Sequence, residues 1–393
     1  KNGHGRSEKS GSQSLERQSV REGSFRVRQT NQTFSSGHGT FATPVIFKVY
    51  GKAEKRMKQI TVTGEENGQR FDRFLGKYMP GASQGFLHKM LRKKNIKLNG
   101  KKAEGKEKLK EGDQIQIFFA DETLDKFCQV EKKEQKEQKV LTKEERKLRE
   151  QIKELYSSAH IVILHKPAGL LTQKASPKDD SLNDYLLSYC EEQGLVDPEK
   201  QNTFRPSVAN RLDRNTSGIV LCGITTAGLQ ELSALLRNRK LEKYYLCLVQ
   251  GRVKENKKVK GYLIKNEKKN TVRFVRKLEE GAMPVETWYE VLETSAQASL
   301  LRVRLLTGKS HQIRAHLAAE GHPVVGDYKY GSRSFNDQVK RESGICTQML
   351  HSAELYIPPE VPEKLEELRG LRIKAPLPEP FVDLLKKWKM NII

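Results

Sequence analysis

The sequence predicts an α+β fold rather than a doubly wound parallel sheet, and three observations predict it. From residue 158 onward apolar strand patterns and helical stripes follow one another in mixed order. A short αβ pattern at 58–120 stands apart from them. A stretch at 121–157, dense in Lys, Glu and Gln, separates the two. A chain of 393 residues suits about two domains, in agreement with that division.

Residues 1–57 are rich in Gly, Ser, Gln and Arg and lack apolar periodicity, which predicts a disordered basic tail, with some strand character at Thr43–Tyr50. In the module at 58–120, Ile60 and Val62 alternate with threonines as in a short strand. Phe71, Phe74 and Leu75 recur at helical spacing, and Pro80-Gly81 ends that helix. Ser83 is placed to cap a second helix carrying Phe86, Leu87, Met90 and Leu91. Asn99-Gly100 reads as a hairpin turn, Leu109–Asp113 as a second turn, and Gln114–Phe118 as a closing strand. The 121–157 stretch reads as a charged linker, partly helical, with pairs such as Glu144 and Lys147 at helical spacing. Beyond it come a strand at Ile161–Leu164, a buried strand at Gly218–Thr225 and a leucine stripe at Leu229, Leu232, Leu235 and Leu236. Strands at Tyr244–Val249 and Leu301–Leu305 follow, then a helix at Lys309–Glu320 stopped by Gly321 and Pro323.

The formal net charge is +23, and hydrophobic residues make up only 36 % of the chain. A charge that large repels itself in a compact state unless a polyanion neutralises it, so nucleic acid is the expected partner. Lys89, Arg92, Lys93, Lys94, Lys97, Lys101 and Lys102 fall together with no acidic residue between them, as a phosphate-binding surface requires. A solvated face is the plainer alternative. No apolar run is long enough to span a membrane, and the polar N-terminus does not read as a signal peptide. The five cysteines are scattered, with neither a CxxC pair nor metal spacing, so the chain is expected to be cytoplasmic with free thiols.

Three segments beyond residue 200 hold residues able to do chemistry. In Arg211-Leu212-Asp213-Arg214 a carboxylate lies between two guanidinium groups, which favour its ionised form. It can serve as nucleophile, base or metal ligand, although on spacing alone a structural ion pair at a turn is the plainer reading. Thr307–His316 gathers donors at the start of a helix. Its Gly-Lys-Ser is not a P-loop, because Val303 stands where the first glycine belongs. His311 and His316 are five apart rather than the four of a helical zinc pair, so each reads as a structural histidine and no metal is expected. Tyr244 and Tyr245 point to opposite faces of one strand, and one of them can stack on an extruded base.

Taken in order, Ile163–Leu171, Asn210–Gly218, Lys243–Tyr245 with Gly251, and Leu306–Leu317 with Gly321–Asp327 resemble the motifs of the RluA-type family of RNA pseudouridine synthases. The module at 58–120 resembles the S4 RNA-binding domain through Arg70–Leu75, Pro80, Ile96–Lys101 and Leu109–Asp113. The resemblance implies a mixed, largely antiparallel central sheet with flanking helices at 158–393, preceded by a small S4-like αβ domain. It implies Asp213 as nucleophile, Arg314 as the arginine paired with it, Tyr245 as the tyrosine packed on the target base, and Arg211 as the side chain filling the gap left by the flipped nucleotide. It also implies structured RNA as partner, large-subunit ribosomal RNA first and transfer RNA second, with no cofactor, no metal and a monomeric chain. Asn210 stands where the family has His, His165 where it has Asn, and Lys309-Ser310 where it has Arg-Thr. The rival expectation is a non-catalytic RNA-binding or ribosome-assembly protein that keeps the fold.

Overall fold

The computed structural model describes residues 56–136, 141–196, 203–268 and 270–391. The expected basic tail, with its strand character at Thr43–Tyr50, lies outside them except for Arg56 and Met57.

The module begins with strand β1 (Arg56–Thr61), followed by helices α1 (Phe71–Tyr78) and α2 (Gln84–Arg92) and strands β2 (Ile96–Leu98), β3 (Lys101–Lys102) and β4 (Gln114–Phe119). The strands form an antiparallel sheet in the order β1-β4-β2-β3. The apolar residues spaced three and four apart on the two helices, Phe71, Phe74, Leu75, Leu87, Met90 and Leu91, meet Ile96, Ile115 and Ile117 in one core. Ser83 caps α2 by accepting a hydrogen bond from the Phe86 amide at 3.2 Å. Asn99 and Gly100 both have positive φ (50° and 74°), as a two-residue hairpin turn requires. A short 3-10 turn, Gly64–Glu66, carries this module onto the rest of the chain. The Glu65 carboxylate accepts from the Thr226 amide at 2.6 Å, and Glu66 accepts from the Thr203 amide at 3.1 Å.

Helices α3 (Asp121–Lys136) and α4 (Lys143–Glu150) occupy the charged stretch, and β5 (Lys153–Ser157) at its end already belongs to the large sheet. There follow β6 (Ile161–Lys166), α5 (Leu182–Glu192), β7 (Ser207–Val208), β8 (Ser217–Gly223), α6 (Thr226–Arg237), β9 (Glu242–Gln250), β10 (Lys257–Asn266), β11 (Thr271–Val275), β12 (Met283–Thr294) and β13 (Ala298–Leu305). The last elements are α7 (Gln312–Ala319), α8 (Arg333–Ser343), β14 (Leu350–Tyr356), β15 (Arg372–Lys374) and α9 (Glu379–Lys387). Eleven strands form one sheet in the order β11-β10-β12-β13-β9-β14-β8-β6-β5, with β15 on β14 and β7 on β8. Among the described residues every named strand pair in it is antiparallel except β8 with β14, so the sheet is mixed and largely antiparallel, as expected.

The middle of the sheet is covered on both faces, which explains the unbroken apolar runs there. Val162, Leu164, Val220 and Cys222 feed one core, while Ile161, Ile163, Ile219 and Leu221 feed the other. β9 alternates likewise: Tyr245, Cys247 and Val249 face the first core, and Leu248 faces a third. The parallel contact depends on a glycine. Gly218 has φ 114°, and a Cβ there would lie 2.2 Å from the Ser352 carbonyl oxygen, so only glycine lets β8 approach β14.

Candidate active site

Asp213 lies in the loop between β7 and β8, and the segment before α5 holds that loop in place. At the end of β6 the Lys166 ammonium, with no exposed surface, donates to the carbonyls of Pro167 (2.9 Å), Leu170 (2.8 Å) and Arg214 (2.9 Å). Burial lowers its pKa to about 7, with the Asp213 charge opposing that fall. The Gly169 amide bonds the same Arg214 carbonyl at 2.9 Å. The Thr172 hydroxyl donates to the Leu212 carbonyl (2.8 Å) and accepts from the Leu212 amide (3.1 Å). Asp213 is thus fastened through the backbone on both sides. Asn210 has a local task as well: its side-chain oxygen accepts from the Leu221 amide at 2.7 Å.

The Asp213 carboxylate meets Arg314, which lies 101 residues later on α7 and is 7 % exposed. Arg314 divides its fork between two acids. Its Nε and one terminal nitrogen bind Asp327 at 2.7 and 2.9 Å, and its other terminal nitrogen binds Asp213 Oδ2 at 2.8 Å. Burial alone would lower the guanidinium pKa, but the bonds to the two carboxylates outweigh it and the pKa is raised. Asp327 is fully buried, whereas the Asp213 side chain is 25 % exposed. One acid is therefore a fixed support, and the other is held on one side and open on the other.

Tyr245 reaches the same neighbourhood from β9, packed in the core that also contains Leu212 and Ile313. Burial raises its phenol to about 12; the Ser352 hydrogen bond pulls it down and the Asp213 charge adds to the rise. Tyr244 faces the other way, with the Arg302 guanidinium 4.2 Å from its ring centre.

His311 stands at the N-cap of α7 in a left-handed conformation (φ 53°), unusual for a non-glycine residue. Its Nε2 is 3.8 Å from Asp213 Oδ2, and its Nδ1 is 2.8 Å from the Tyr330 hydroxyl. Gln312 anchors the turn before it, accepting from Thr307 Oγ1 (2.8 Å) and the Lys309 amide (3.1 Å) and donating to the Glu286 carbonyl (3.0 Å). His316 is buried away from Asp213, with Nδ1 2.7 Å from Thr287 Oγ1 and its ring edge-on to Phe274. Among the described residues no group of three or more His, Cys, Asp or Glu is arranged to hold a metal ion.

The sequence-predicted residues fall into two places. Asp213, Arg314 and Tyr245 come together, with Arg211 exposed on the Asp213 loop. Lys89, Arg92, Lys93 and Lys94 are exposed around the C-terminal end of α2, and Lys101 on the adjoining hairpin. Lys97 is half-buried, its ammonium 5.1 Å from the centre of the Phe118 ring. The sequence alone assigns no role to Lys166, Asp327 or Tyr330 and marks His311 only as structural. A lysine ending an otherwise apolar buried strand, and an aspartate directly after Val324-Val325-Gly326, were the available signals.

The family model for RNA pseudouridylate synthase matches residues 160–319. The chain is 32 % identical over 334 residues to "Ribosomal large subunit pseudouridine synthase C" of Escherichia coli (strain K12), covering 84 % of this chain and 96 % of that protein. It is 31 % identical over 327 residues to the protein of the same name from Pasteurella multocida (strain Pm70), covering 82 % and 90 %. A solved structure, "Human RNA Pseudouridylate Synthase Domain Containing 4", is similar at 20 % identity and a TM-score of 0.49, covering 63 % of this chain and 96 % of that one.

Proposed function

The chain belongs to the RNA pseudouridylate synthase family, and on that premise we propose that it converts specific uridines of large-subunit ribosomal RNA to pseudouridine with Asp213 as nucleophile. The observation that carries the assignment to Asp213 is its 2.8 Å ion pair with the buried Arg314, on a carboxylate that stays partly open. The relatives' names, which specify the large ribosomal subunit, support the choice of RNA.

The reaction is an isomerisation. The bond from the ribose to N1 breaks, a bond from the same ribose carbon to C5 forms, N1 gains a proton and C5 loses one. Nothing is added overall, so the reaction needs no redox partner or group donor. A carboxylate nucleophile divides the exchange into easier steps. Arg314 fixes its direction through a charge-assisted hydrogen bond. The base must leave the stack, which costs roughly a few kcal/mol. Tyr245 supplies the face on which the base packs, and the exposed Arg211 fills the space the base vacates. The S4-like module offsets part of the cost by holding phosphates with Lys89, Arg92, Lys93, Lys94, Lys97 and Lys101. One chain supplies all these residues, so a monomer suffices, and the free cysteines support a cytoplasmic location for the reaction.

Carbodiimide primer extension on cellular RNA from strains expressing wild type or Asp213→Ala tests the proposal. The expected result is one or more large-subunit sites present only with the wild type. Sites that change only in transfer RNA would overturn the substrate. Identical maps would overturn the role of Asp213.

A further inference from the structure

We infer that Tyr330 is a positioning residue whose hydroxyl locks His311 as the neutral Nε2–H tautomer, presenting a hydrogen-bond donor to Asp213. This deepens the proposed function and rests on it for its kinetic consequence.

The assignment follows from counting protons. The Tyr330 oxygen has two partners among the described residues, the Val272 amide at 2.9 Å and His311 Nδ1 at 2.8 Å. The amide can only donate, so it occupies an acceptor position on the phenol. The single hydroxyl proton is then satisfied by His311 Nδ1, which must be the unprotonated nitrogen. The ring's proton therefore lies on Nε2, and Nε2 is the atom 3.8 Å from Asp213 Oδ2. The opposite tautomer would crowd two N–H donors onto one phenol oxygen and leave the hydroxyl proton without an acceptor.

The surroundings favour the same state. Burial raises the Tyr330 phenol above its ordinary value, so the hydroxyl keeps its proton. Burial also lowers the His311 imidazole below its ordinary value, against the pull of the Asp213 charge. At 3.8 Å the Nε2–H is just beyond hydrogen-bond reach. Closing that gap by a few tenths of an ångström would make the contact a hydrogen bond to the carboxylate.

Tyr330 has a second attachment to the site. The Arg314 guanidinium lies 5.1 Å from its ring centre, and the His311 ring meets it edge-on at 5.6 Å. The turn carrying it is itself fixed, since Asp327 Oδ1 accepts from the amides of Lys329 (2.9 Å) and Tyr330 (3.2 Å). The residue that fixes Arg314 thus also fixes the tyrosine that fixes His311.

Tyr330→Phe isolates the hydroxyl, because it keeps the ring against both Arg314 and His311. The direct reading is a two-bond proton–nitrogen correlation spectrum of protein labelled with nitrogen-15 histidine, with His311→Ala identifying the signal. The wild type is expected to show an unprotonated Nδ1 and a protonated Nε2, and Tyr330→Phe a mixture of tautomers. In turnover of ribosomal RNA, Tyr330→Phe is expected to lower kcat about tenfold with KM within about twofold, the scale of one lost hydrogen bond. It should add no further loss in the His311→Ala background. A wild-type ring protonated on Nδ1, or a Tyr330→Phe ring still wholly Nε2–H, overturns the assignment. An unchanged kcat, or a full additional loss in the His311→Ala background, overturns the positioning role. A wild type that forms no pseudouridine overturns the proposed function instead, and the spectrum still decides the tautomer.

Discussion

Arg314 makes three hydrogen bonds to two carboxylates, and that division decides what it can do. Two bonds to the buried Asp327 fix the plane of the guanidinium, so the third reaches Asp213 from one direction only. Lysine keeps the charge but cannot hold two acids in this geometry. Losing one charge-assisted hydrogen bond, about 1.5–3 kcal/mol, corresponds to a fall of about 10- to 100-fold in rate. Arg314→Lys is accordingly expected to lower kcat by that factor with little change in KM, as single-turnover kinetics would measure. The pairing was legible only as a motif, since a contact between residues 101 apart leaves no periodic trace. Tyr330 was harder still. Its neighbours Val272, His311 and Arg314 come from β11 and from α7 with its N-cap, and nothing about a Tyr-Gly step in a loop marks it as a site residue.

Within the sheet, the setting of the Asp213 loop depends on how closely two strands approach. Gly218→Ala would place a methyl group 2.2 Å from the Ser352 carbonyl at φ 114°, so β8 must move away from β14. The combined strain and overpacking amount to about 2–4 kcal/mol, to be read as a lower urea midpoint with activity falling alongside. Such a position could be read from the sequence only as the last residue of a motif. β6 and β8 were legible because every residue in each is buried. β10 and β12 were not, since Gly261 in the first, and the buried Thr287 beside Trp288 in the second, break the alternation of apolar and polar residues. The small module carries a prediction of its own. Replacing Lys89, Arg92, Lys93, Lys94, Lys97 and Lys101 with Gln should weaken RNA binding and flatten its salt dependence. The slope of log K against log salt should fall by as much as about 4–5 if all six contact phosphates. Substitution is a cleaner test than deletion, because Glu65 and Glu66 attach the module to the rest of the chain. An unchanged slope in filter binding across a salt series would mean that the RNA anchor lies elsewhere.

Across the whole molecule, buried histidines link stability to pH. His316 and His351 are buried, and burial lowers each to about 4. In the unfolded chain they titrate near the ordinary histidine value of about 6.5. Between those limits the unfolded state binds more protons than the folded one, so stability rises with pH there. It is therefore lost as pH falls from about 6.5 to 4, by about 3 kcal/mol for each histidine. Urea midpoints across that window should show the slope, and His351→Gln should reduce it. In the proposed function, this basic, two-part chain isomerises uridine through Asp213. C5 of uridine loses its proton when the new bond forms, so tritium release from large-subunit ribosomal RNA labelled at C5 of uridine measures the reaction directly. The purified wild type is predicted to release tritium, and Asp213→Asn to lower the rate on the order of a thousand-fold or more. Release by Asp213→Asn at close to the wild-type rate would rule out Asp213 as the nucleophile.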